Sequence, residues 1–187
     1  MRNIIKILIP AIIVLTLVVG CSSANESEGK GQLQVLMTDA PANFTEVNVN
    51  IVEVLAHYTG NGDTKDGWIQ LNANAGFYDL LKLQNGLTEV IADSTTIPVG
   101  KITQMRLILG DDNYAVEIVD SVAVEHPLLL SSQDETGLKI NLNSDILDNQ
   151  TSVITLDFDA GESIIELGTG EYKLKPVIKV KSVVQNP

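Results

Sequence analysis

The sequence predicts an all-β chain folded as a single antiparallel β-sandwich. Three observations lead there. Short segments alternate apolar and polar residues, β-branched residues fill them, and Gly, Asn and Asp clusters separate them, with no sustained helical period anywhere. Residues 32–184 have the length of one domain with one core, and no repeat divides them.

The elements follow in order. Residues 32–37 form a strand with Leu33, Val35 and Met37 on one face, and Thr38-Asp39-Ala40-Pro41 ends it. Pro41 has no N–H, so Asp39 cannot close an Asx turn two residues on. The expectation is that Asp39 accepts from Ala42 and caps one helical turn over 40–44, which points Phe44 at the core. Residues 47–58 form the longest early strand. Its apolar parity changes from Val47, Val49 and Ile51 to Val52, Val54, Ala56 and Tyr58, and a β-bulge near 51–53 would keep both runs inward and turn Glu53, Leu55 and His57 out.

A polar loop over 59–67 leads to short strands at 68–71 and 77–83, then an Asn85-Gly86 turn; residues 87–92 suit either a strand or a short helix. Residues 102–109 are the clearest strand, with Thr103, Met105, Leu107 and Leu109 facing one way and Gln104, Arg106 and Ile108 the other. Asp111-Asp112-Asn113 reads as a turn into a strand at 114–119, and Asp120-Ser121 as a turn into 122–126. After a polar loop at 131–136, strands are expected at 138–142, 151–159, 163–167 and 172–184, the last two joined by Gly168-Thr169-Gly170.

The start of the chain has another character. Arg2 and Lys6 precede an apolar run over 7–19, and Val18-Val19-Gly20-Cys21 reads as a lipobox. Residues 1–20 are thus expected to be a lipoprotein signal peptide, and Cys21, the only cysteine, the lipidated residue that anchors the chain to a membrane. Residues 21–31 are small and polar, a disordered tether, and 185–187 form a short tail. Ser22 stands where an inner-membrane retention signal has Asp. By resemblance to other bacterial lipoproteins this favours the outer membrane of the cell envelope, with surface and periplasmic orientation both open. With Cys21 lipidated, neither a disulfide nor a cysteine nucleophile is expected. Loss of Arg2 and Lys6 with the leader takes the formal charge from −12 to −14, which excludes electrostatic binding to nucleic acid.

Several phrases, in order, resemble a known family. They are Leu36-Met37-Thr38-Asp39-Ala40-Pro41, Ile97-Pro98-Val99-Gly100-Lys101-Ile102-Thr103-Gln104-Met105-Arg106, Gly137-Leu138-Lys139-Ile140, Leu156-Asp157-Phe158-Asp159-Ala160 and Tyr172-Lys173-Leu174-Lys175-Pro176-Val177-Ile178. Together they are similar to the bacterial lipoprotein domain of unknown function DUF4382, which opens on a TDAP motif. The resemblance covers about residues 31–183 and implies an envelope lipoprotein with a transthyretin-like or immunoglobulin-like sandwich and no assigned activity. The chain departs from the pattern after Gly100, where Lys101-Ile102 replace a small polar residue and an aromatic.

Few residues break the structural pattern. Arg106, the only arginine beyond the leader, is suited to clamp a carboxylate; otherwise it pairs with Asp157, Asp159 or another acid. Trp68, the only tryptophan, is suited to stack on a sugar ring, or else closes the end of the sandwich. Asp39 is the third candidate ligand contact. Asp157 and Asp159 share a face and would supply part of a calcium site; the loop groups Asn61, Asp63 and Asp66, and Asp111, Asp112 and Asn113, are looser oxygen clusters. No other cofactor is expected. His57 and His126 lack zinc-site spacing, and no G-x-S-x-G is present. The Lys173, Lys175, Lys179 and Lys181 stripe reads as a solvated or edge-guarding face, or a grip on an acidic polysaccharide.

The function expected is therefore a non-catalytic envelope lipoprotein that binds a glycan or an envelope protein. The alternative is an assembly subunit that adds a strand to a partner, which predicts a long exposed edge. A hydrolase is the third reading and predicts convergent carboxylates in a pocket with a raised pKa.

Overall fold

The computed structural model describes residues 29–60, 66–131 and 136–187. The leader, Cys21 and most of the tether lie outside the described residues, as do Asn61 and Asp63.

Two sheets face each other across one core, as a sandwich requires. The smaller has β1 (Lys30–Ala40) at its centre, between β6 (Glu89–Pro98) and β11 (Thr151–Asp159). Beyond these lie β4 (Asn72–Ala73), outside β6, and β14 (Ile178–Asn186), outside β11. The larger sheet is built on β2 (Glu46–Gly60). One side of β2 carries β7 (Gly100–Leu109) and then β8 (Tyr114–Val119). The other side carries β5 (Gly76–Asp79) and β3 (Gly67–Gln70). β10 (Leu138–Ile146) lies outside β7; β9 (Val122–Leu130), β13 (Tyr172–Leu174) and β12 (Ile164–Glu166) continue beyond β8.

Both sheets are mixed rather than wholly antiparallel. β1 runs parallel to β11, and β9 runs parallel to β13. A parallel pair needs a long crossover. Here most of the large sheet is threaded between β1 and β11, so the crossover is the other layer of the sandwich.

The core follows from alternation. Leu33, Val35 and Met37 of β1 and Ile154, Leu156 and Phe158 of β11 meet Ile51, Val54, Ala56, Ile102, Met105 and Leu107 from the opposite sheet. Each large apolar side chain buried this way contributes roughly 1.5–3 kcal/mol before the cost of ordering it. The expected bulge in β2 is present. The register against β7 slips between Ile51 and Glu53, and Val54, Ala56 and Tyr58 return to the core; Val52, expected to face inward with them, is instead exposed, because it is the extra residue at the slip. Leu55 and His57 then face outward.

A second slip, between His57 and Tyr58, corrects the expectation for β7. It leaves Thr103 as the extra residue, so Ile102 takes the buried position and Thr103 joins Gln104 and Arg106 on the outer side. Three further expectations change. Residues 77–83 are not one strand: β5 ends at Asp79, whose carboxylate accepts from Leu81 N and caps a 3-10 turn over Leu80–Leu83. Asp111–Asn113 does not reverse the chain. Asn113 accepts from Asn50 N (2.8 Å) and donates to Gly110 O (2.7 Å), holding a bulge through which β8 continues along β2. The expected 172–184 strand breaks around Pro176, whose missing N–H cannot serve a ladder, into β13 in one sheet and β14 in the other. The lysine stripe is therefore divided: Lys173 belongs to the large sheet, and Lys179 and Lys181 lie on the edge strand of the small one.

Candidate functional site

The outward side of β2, β3, β7 and β10 brings together residues that the sequence singles out. Trp68 on β3 sits opposite His57 on β2, and Arg106 on β7 sits between Leu55 on β2 and Lys139 on β10. The first β2 bulge is what turns Leu55 and His57 to this face. Trp68 and Arg106 reach toward each other over β2, and the guanidinium carbon lies 4.2 Å from the indole centroid. His57 meets the same indole edge-on, with centroids 5.1 Å apart, and its Nδ1 is 3.1 Å from Thr103 Oγ1. Beside them Gln104 donates to Asn141 Oδ1 at 2.8 Å. Trp68 is 37% exposed, so it neither enters the core nor closes it. Arg106 makes none of the ion pairs expected of it. Asp157 and Asp159 are in the other sheet, and no acid pairs with Arg106 among the described residues. Its Nε is buried and lacks a hydrogen-bond partner there.

Asp39 has a different setting. β1 stays extended through Ala40, so the expected local turn capped by Asp39 does not form. Instead Asp39 Oδ1 accepts from Ala160 N (2.9 Å) at the start of the single helical turn α1 (Ala160–Ser163). Parallel pairing of β1 with β11 puts Asp39 beside Phe158 and makes this bond possible. Burial pushes the Asp39 carboxyl up to about 6, against the lowering effect of the Ala160 hydrogen bond. Phe44 is half-buried and packs edge-on against Tyr172 as well as on the core.

Asp157 and Asp159 do not act together. Asp159 caps α1 by accepting from Glu162 N at 3.1 Å, while Asp157 lies across from Lys179 in the β11–β14 ladder. Among the described residues no group of three or more His, Cys, Asp or Glu side chains is placed to hold a metal.

A second constellation has no signal in the sequence. A cleft of about 410 Å³ is walled by Phe44, Glu117, Glu162, Glu166 and Tyr172. His126 packs against Tyr172 with the rings tilted (4.5 Å between centroids) and lies 3.5 Å from Glu117. These residues come from four separated segments joined by the parallel β9–β13 pairing, and no spacing rule in the chain announces that contact.

The family model for the domain of unknown function DUF4382 matches residues 30–176. The chain belongs to this family. No curated protein and no solved structure matches it significantly. In this DUF4382 domain, two of the phrases that resemble the family have structural work. TDAP places Asp39 on the Ala160 amide, with Thr38 Oγ1 within 2.8 Å of Leu83 O and of Leu87 O. IPVG places Val99 O to accept from the Tyr58 hydroxyl (2.9 Å), with Gly100 so close to the Tyr58 ring that a Cβ has no room. Trp68 lies in neither phrase, and its contact with Arg106 is the exposed arrangement these two do not explain.

Proposed function

We propose that this DUF4382 chain is a lipid-anchored envelope lipoprotein whose domain is a non-catalytic binding module for a glycan or protein partner. The contact surface is the outward face around Trp68 and Arg106. One observation carries the reading: the only tryptophan and the only arginine beyond the leader are stacked on each other on an exposed sheet face. Contact with the Arg106 guanidinium and the His57 ring stiffens the indole, and a stiff, exposed aromatic gives contact area at low entropic cost. The Gln104–Asn141 amide pair and His57 supply donors and acceptors at its border.

The anchoring half of the proposal rests on the lipobox and Cys21. Labelled fatty acid fed to expressing cells should enter the wild-type chain and not Cys21→Ala. Protease treatment of intact cells then separates a surface module, which is cut, from a periplasmic one, which survives until the outer membrane is opened. The binding half is tested by screening the chain and Trp68→Ala against glycan and envelope-protein arrays. Binding that is indifferent to Trp68 removes this face from consideration.

One observation favours the assembly reading as a second choice. β14 is a nine-residue edge strand carrying exposed Val183 and Val184, a template for strand addition. Concentration-dependent association of the purified chain would support it.

A further inference from the structure

We infer that the Trp68–Arg106 face recognises a saccharide bearing a carboxylate, an acidic sugar residue rather than a neutral one. The inference rests on the proposal that this face binds ligand, and adds the chemical class. Arg106 is the lone arginine beyond the leader, and in a chain of formal charge −12 it has many carboxylates available as partners. Arg106 pairs with none among the described residues and lies over an aromatic ring instead. Glu53 is the acid on the same side of β2. It stands opposite Ile108, two positions along the ladder from the Leu55–Arg106 pair, and forms no ion pair there.

Lying over the indole leaves the guanidinium charged, with the planar fork of N–H donors that matches a carboxylate. The stem is fixed as well, since Nε is buried and Arg106 Cβ and Cδ lie close under Gly137. The fork is thus held in place before any ligand arrives, which lowers the entropic cost of engaging one. Lys139, opposite Arg106 on β10, adds a second cation, and the Gln104 and Asn141 amides are suited to sugar hydroxyls. An apolar ring face, one oriented anion clamp and two amides together describe a short acidic saccharide.

The test is a binding titration of the full chain in detergent micelles. Probes are a uronic-acid oligosaccharide and a sialylated oligosaccharide, each paired with its carboxyl-reduced counterpart, alongside a set of acidic peptides. The expected result is binding to at least one acidic sugar, weakened about tenfold or more by carboxyl reduction. Arg106→Gln should lose that same preference, while Arg106→Lys, which keeps charge without the fork, should recover only part of it. The two acidic probes distinguish a uronate from a sialate source. Equal affinity for acidic and reduced sugars, with loss of both in Trp68→Ala, would overturn the carboxylate inference and leave the binding face standing. Binding to acidic peptides alone would also overturn it. Failure of every probe, or binding unchanged in a folded Trp68→Ala, would overturn the binding face itself and the inference with it. Circular dichroism of each variant separates lost binding from lost fold.

Discussion

Asp39 and Ala160 stand 121 positions apart and are joined by a 2.9 Å hydrogen bond from the Ala160 amide to the Asp39 carboxylate. The bond ties the end of the small sheet's central strand to the start of the only α-helical turn among the described residues. It also puts a carboxyl where ionisation is disfavoured.

That placement makes stability depend on pH. Burial holds Asp39 at about 6, above the ordinary 3.8, so between those values the folded chain binds the proton more tightly than the unfolded chain. The Asp39 contribution is complete below the unfolded value and is lost as pH rises through about 6. Asp39→Asn keeps an oxygen acceptor for Ala160 N and cannot ionise. Denaturant titrations from about pH 4 to about pH 7 should show Asp39→Asn gaining on wild type across this window. A difference that does not vary with pH refutes the assignment.

Gly100 is predicted to tolerate no side chain. A Cβ there would lie 2.6 Å from Tyr58 Cε2 and 2.7 Å from the carbonyl oxygen of Thr59, and neither the buried ring nor the strand backbone can retreat cheaply. Gly100→Ala should cost about 1–3 kcal/mol in thermal or chemical unfolding.

Asn113 holds the bulge that lets β8 follow β7 along β2. It is 3% exposed and serves both Asn50 N and Gly110 O. Asn113→Ala leaves a donor and an acceptor without partners and should destabilise by about 1–3 kcal/mol. Asn113→Asp keeps the acceptor for Asn50 N, and at neutral pH should restore only that half of the interaction. Loss of amide protection at Asn50 in hydrogen exchange would locate the effect.

Lys179 and Lys181 guard the β14 edge. Replacing both with Val would extend the exposed apolar surface of Val183 and Val184 along a strand with an open ladder. Sedimentation should show the double variant self-associating at concentrations where wild type does not. If wild type already associates through β14, the lysines are not guards, and the assembly reading gains.

Much of the fold was legible because alternation reports burial directly. Residues 151–159 and 114–119 were bounded as the strands appear, and the β2 bulge was visible in the change of parity from Ile51 to Val54. What failed were the features fixed by distant partners. For Asp39 the sequence offers only a neighbour three residues away, whereas its partner in the fold arrives through a parallel ladder. Alternation alone points Thr103 inward, because a bulge in the middle of a regular run leaves no mark on composition. Trp68 and Arg106 each stand out in the sequence as the lone residue of its kind beyond the leader, but their contact depends on β3 and β7 flanking the same stretch of β2. The cleft around Tyr172 depends on the parallel β9–β13 pairing and was invisible for the same reason.

The position of β1 has a mechanical consequence. The first strand of the domain is the central one of its sheet, laddered to β6 on one side and β11 on the other. A pull on the N-terminal side of the domain runs along β1 and loads both ladders in shear, so their hydrogen bonds must yield together. A chain held from an edge strand would unzip one bond at a time. A domain tethered through residues 21–31 would therefore be gripped at the central strand of its small sheet, and tension would have to break that sheet through its middle to release it.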